Sequence, residues 1–90
     1  MTGEELLARA ADLLEREGWC QGVLRTREGH HCMLGALEEV GLGCAEVLFD
    51  QVIPAITAEL GGENLVRYND TFGRTAEEVI TTLRNAKRWL

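Results

Sequence analysis

The sequence predicts a compact all-α domain of three to five helices, and three observations carry that prediction. Two segments open with a capping box, Thr2 with Glu5 and Thr75 with Glu78, each directly ahead of an apolar stripe at helical spacing. Two further segments, from Cys32 to Val40 and from about Ala45 to Leu60, repeat apolar residues at intervals of three and four. Glycines fall at the ends of these segments, where turns and caps need them.

The first helix starts at Thr2. Leu6, Leu7, Ala10, Leu13 and Leu14 form its buried stripe, and Gly18 ends it. Gly18-Trp19-Cys20-Gln21-Gly22 sets an aromatic between two glycines, which suits a tight turn with Trp19 folded back on the core. Residues 22–31 read as either a short hairpin or a loop: Val23-Leu24-Arg25-Thr26 has strand character, and Glu28-Gly29 suits a turn before His30 and His31. From Cys32, the residues Met33, Leu34, Leu37 and Val40 face one way, Gly35 and Ala36 are small enough for a neighbouring helix to approach, and Gly41 or Gly43 stops the run.

In the third helical region Val47, Leu48, Val52, Ile53, Ile56 and Leu60 supply the apolar face. Pro54 lacks a backbone donor, so a kink, or two helices meeting near Val52 and Ile53, is expected there. Gly61-Gly62 ends the region. Residues 63–74 read as a connecting loop. The last helix begins at Thr75, with Glu77 and Glu78 at the positive end of its dipole and Arg84, Lys87 and Arg88 towards the other. Val79, Ile80, Leu83, Ala86 and Leu90 make its stripe, and Trp89 covers a neighbouring edge or stays exposed. The expected core is Leu13, Trp19, Leu34, Leu37, Leu48, Ile53, Ile56, Val79 and Leu83.

Ninety residues make one domain, spanning 1–90. Such a chain buries only roughly 60–65% of its unfolded surface, so a second copy of the chain is one expected source of added stability. A formal charge of −6, with the nine basic residues spread along the chain, argues against nucleic-acid binding. No apolar run reaches the length of a membrane span, and the N-terminus lacks the pattern of a secretory signal, so a cytoplasmic location is expected. Three cysteines fit free thiols better than a disulfide framework.

Cys20, His30, His31, Cys32 and Cys44 are residue types that bind zinc, but no pair has the close spacing of a structural zinc site. A nucleophilic Cys20 or Cys32, with His30 or His31 as base and Asn69 or Asp70 orienting the imidazole, is the enzymatic alternative. Neither is demanded by the spacing. Adjacent loop histidines are more often exposed and idle, and buried cysteines usually pack. Tyr68-Asn69-Asp70, just before the last helix, reads as a turn whose Asn and Asp bond their own backbone. No catalytic residue, metal or cofactor is therefore assigned.

Three stretches carry a resemblance: Gly18-Trp19-Cys20-Gln21-Gly22, Cys32-Met33-Leu34-Gly35-Ala36-Leu37, and Tyr68-Asn69-Asp70 followed by Gly73-Arg74-Thr75-Ala76-Glu77-Glu78-Val79-Ile80. Together they resemble a domain-of-unknown-function family of small proteins found in actinobacteria and their phages, with Tyr68 at a position where that family usually has tryptophan. The resemblance covers most of the chain and brings no activity with it. Small size, apolar helix faces beyond what so small a core can hide, and the lack of a catalytic set lead to one functional expectation. It is a non-enzymatic interaction or regulatory module with a protein partner or a second copy of itself, acting on a host protein if the gene is a phage's. A metal- or thiol-dependent protein using Cys20, Cys32 and a histidine is the alternative.

Overall fold

The computed structural model describes residues 1–90 as five helices with no strand. Helix α1 is Gly3–Glu17, α2 is Met33–Val40, α3 runs through residues 45–59, α4 is Leu65–Asp70 and α5 is Ala76–Asn85, which tightens into a 3₁₀ turn at Ala86–Trp89. The expected all-α class holds. The molecule measures 29 × 27 × 17 Å, and none of its helices is long and apolar enough to cross a membrane.

Both capping boxes form, the Thr2 and Thr75 hydroxyls accepting from the backbone N–H of Glu5 and Glu78 while each glutamate side chain accepts from its cap's own N–H. Gly18 ends α1 at φ +103°, a conformation that a side chain rarely adopts. Helix α1 is the centre of the packing. Its Leu6, Leu7, Ala10, Ala11, Leu13 and Leu14 lie against α2, α3 and α5 in one cluster that also holds Met33, Leu37, Leu48, Val52, Ile56, Val79 and Leu83. Of the expected core, Trp19, Leu34 and Ile53 are half-buried at its edge, and Met33, Val52 and Leu65 are buried members the expectation left out.

Pro54 has the effect expected of it, by a specific device. Leu48–Val52 form a π-helical turn, in which the Ile53 N–H reaches back five residues to the Leu48 carbonyl, and an α-helical stretch, Ile53–Glu59, begins immediately after it with Pro54 in its first turn. The wider turn falls just before the residue that cannot donate, and first-turn residues of a helix have little need of a donor. The two parts of α3 therefore meet at Val52 and Ile53.

One expected loop is corrected. Within residues 63–74 the chain forms α4, because the Asn64 side chain caps it by accepting from the N–H groups of Val66 and Arg67, and Leu65 is buried against the core. Residues 22–31 resolve as a loop. His31 makes only single bridging contacts with Trp19 and Arg25, so no hairpin forms.

Candidate functional site

Trp19, Cys20, Gln21, His30, His31, Cys32, Tyr68, Asn69 and Asp70 lie on two segments, the loop 18–32 and helix α4, and most of them meet at one end of the bundle. The loop is closed by its own backbone. His31 N–H donates to the Gly18 carbonyl and Cys20 N–H to the His31 carbonyl, both at 3.0 Å, while Thr26 N–H donates to His30 and Cys32 N–H to Leu24. A Cβ on Gly18 would also lie 2.7 Å from the exposed His30 ring, which would have to turn aside.

Asn69 is the centre of this end. It is 1% exposed, and all its hydrogen-bonding capacity is used inside the protein. Its Oδ1 accepts from the Trp19 indole Nε1 at 2.7 Å and from the Met33 backbone N–H at 2.9 Å. Its Nδ2 donates to the Cys20 carbonyl at 3.1 Å and to Asp70 Oδ1 at 2.9 Å. One amide thus joins the loop, the first turn of α2 and the end of α4 in a buried setting, where each of these groups would be costly to leave unpaired. This corrects the reading of Asn69 and Asp70 as residues that bond their own backbone: apart from the Asn69–Asp70 contact itself, their partners lie 36 to 50 residues away.

Gln21 and Asp70 close the same junction from outside. Gln21 Nε2 donates to the Asn69 and Thr71 carbonyls at 2.9 and 3.0 Å, satisfying acceptors that the short α4 leaves open at its C-terminal end, and Gly22 N–H donates to Asp70 Oδ1 at 3.0 Å. The donors on Asn69 and Gly22 hold the Asp70 carboxyl below the usual carboxylate range. Tyr68 fastens α4 to α5. Its ring lies under the Arg74 guanidinium at 3.7 Å, Arg74 Nε donates to the Tyr68 carbonyl, and the Tyr68 hydroxyl sits 3.1 Å from the Thr82 hydroxyl.

The cysteines and histidines do not come together as a reactive set. Cys32 is the N-cap of α2, its Sγ accepting from Gly35 N–H at 3.3 Å, and Cys20 Sγ donates to the Val23 carbonyl at 3.4 Å. Burial pushes both thiols up from the ordinary cysteine value, with Asp70 adding to the effect at each, so both are thiols rather than thiolates near neutrality. Neither bonds to a histidine. His31 is 2% exposed, contrary to the expectation of an exposed pair, and its Nε2 lies 3.4 Å from Glu17 Oε1; His30 is exposed. No three His, Cys, Asp or Glu side chains are grouped as a metal would need. Cys44 stands apart at the start of α3 and is unpaired.

The spacing of Cys32-Met33-Leu34-Gly35 acquires a physical reason here. Cys32 caps the helix three residues ahead of Gly35, and a Cβ on Gly35 would come within 2.0 Å of the Leu24 carbonyl oxygen. The close neighbour that Gly35 admits is thus the loop backbone, where the sequence suggested another helix. Sequence reasoning missed His31 as a buried residue and Asn64 as a cap. For Asn64 a signal was present, an Asn directly before a Leu-Val pair.

The three short motifs thus converge on one hydrogen-bonded clasp and a capped, close-packed helix start. No curated protein and no solved structure matches the chain. Residues 1–88 match the model of a family of unknown function, DUF6197, and the chain belongs to that family.

Proposed function

We propose that the protein is a non-enzymatic interaction module, which binds a protein partner or a second copy of itself. The observation that supports this reading is the amount of apolar side chain left in solvent. Phe72 is 102% exposed and Leu42 77%, and Phe49, Trp89, Leu90, Val23 and Leu24 are each about half exposed. A ninety-residue fold gains little from Phe72 and Leu42 in solvent, and large apolar side chains left exposed are available to a partner's surface. The polar residues of the motifs are meanwhile occupied with one another, which leaves Asn69 no capacity for a ligand. The reading extends to a cytoplasmic setting, in keeping with three cysteines that form no disulfide.

Native mass spectrometry on protein purified without chelator from the organism that encodes it is the test. A dimer, or a stoichiometric complex with another protein, is the expected result. A folded monomer that retains no partner overturns the reading. A metal-sized mass increment lost when Cys20 and Cys32 are both replaced by serine overturns it in favour of a thiol-dependent site.

A further inference from the structure

Resting on the interaction reading above, we infer that the edge formed by loop 22–27 and residues 66–73 docks an acidic, apolar segment of a partner protein. The first observation is where the arginines are free. Arg9, Arg16, Arg74, Arg84 and Arg88 each pair with a carboxylate of the chain itself. The remaining basic side chains, Arg25, Arg27, Arg67 and Lys87, have no such partner, although the chain carries fifteen carboxylates. Three of those four lie on the two segments that the clasp ties together.

The second observation is the apolar content of the same segments. Gly22 N–H bonds to Asp70 and Gln21 bonds to the Thr71 carbonyl, which places Val23 and Phe72 one residue beyond two adjacent anchors. Val23 is 53% exposed and Phe72 wholly so. Unpaired guanidinium groups on the same two segments as an exposed aromatic suit a ligand that supplies carboxylates for the fork-shaped donors and an apolar residue for the ring. A protein segment fits better than a nucleic acid, because the net charge of −6 opposes a long polyanion while a short peptide meets an edge on which Arg25, Arg27 and Arg67 outnumber the single carboxylate, Asp70. The clasp also ties the two segments of the edge together before any ligand arrives, so less ordering is left for binding to accomplish.

The test uses the whole chain and a fluorescent short peptide alternating Glu with Leu and Phe, beside the same peptide with Lys for Glu, and oligothymidylate. Saturable binding of the acidic peptide is expected, with amide shifts confined to residues 22–27 and 66–73. Phe72→Ala, and separately the pair Arg25→Glu and Arg27→Glu, should each weaken it about tenfold or more, while Arg9→Glu leaves it unchanged. All these side chains are exposed, so circular dichroism should show intact helices in every variant. Absence of binding, equal binding of the lysine peptide, tighter binding of oligothymidylate, or shifts elsewhere would overturn the inference. If the wild type forms a complex in native mass spectrometry and the Phe72→Ala, Arg25→Glu, Arg27→Glu variant forms it equally well, this surface is wrong while the interaction reading stands. If the wild type forms no complex, the broader reading is the one that fails.

Discussion

The helical core and the clasp at its end are held by different forces, and each shows what the other lacks. In the core, α1 buries six apolar residues against three neighbouring helices, and the removal of apolar surface from water supplies the stabilisation. In the clasp the loop and α4 bury only His31, Cys32, Leu65 and Asn69 fully, with Trp19 half-buried, and their mutual position rests on directed hydrogen bonds centred on one amide. Hydrophobic contact tolerates small shifts. A hydrogen-bonded junction fixes geometry, and here it does so for a loop of fifteen residues without regular structure.

The largest expected effects come from cutting each region at its centre. Leu37→Ala should destabilise the fold by about 2–5 kcal/mol through a cavity. Asn69→Ala should cost a similar ~3–5 kcal/mol, since it orphans the Trp19 indole, the Met33 N–H and the Cys20 carbonyl together. The two should differ in distribution. In hydrogen exchange, Leu37→Ala lowers protection throughout, whereas Asn69→Ala releases Cys20, Gly22, His31 and Met33 first. Uniform loss in both variants would mean that the clasp is no separate unit.

Next in size is Gly35→Ala. Alanine favours a helix by about 1 kcal/mol over glycine, but a Cβ only 2.0 Å from the Leu24 carbonyl forces the loop away, and a net loss of about 2 kcal/mol is expected in urea denaturation. A neutral or stabilised variant would show that the loop does not seat on α2. A smaller effect, about tenfold, is expected in thiol reactivity. Cys20 and Cys32 should react with a disulfide reagent at least that much more slowly in the folded chain than in urea, because burial disfavours the thiolate.

The smallest effect concerns acid. The folded pKa of Asp70 is depressed, so its contribution is complete above the unfolded carboxyl value of about 3.9 and is lost as pH falls through the folded value. Asp70 is exposed, which keeps that contribution below about 1 kcal/mol. Asp70→Asn should therefore flatten the fall in urea midpoint below about pH 4. An unchanged acid slope would remove Asp70 from the clasp.

These two regions were also legible in the sequence to different degrees. Periodicity and capping are local signals, so α1 from Thr2 to Gly18, the cap at Thr75, a stop at Gly41 or Gly43 and the break before Pro54 all stood in the order of residues. Helix α4 is only six residues long, too short to display a period, and the Tyr68-Asn69-Asp70 stretch within it carries strong turn character. Asn69 was recognisable as a residue worth attention, but its role depends on Trp19 and Met33, which are 50 and 36 positions away. His31 was misread for the same reason: the backbone bonds that bury it join it to Gly18 and Cys20, beyond any local pattern.

The central claim is that the polar residues of the three short motifs build a junction and leave binding to the exposed edge beside it. Its most direct test is exchange of the Trp19 indole proton in the intact protein, followed by two-dimensional NMR. A proton donated to a buried Asn69 should exchange ~100-fold or more slowly than the free indole and lose that protection in Asn69→Ala, while the α1 amides exchange far more slowly than it does. Rapid exchange in the wild type, or protection undiminished in Asn69→Ala, would contradict the account, because Asn69 would then not be the group that holds the loop to the helices.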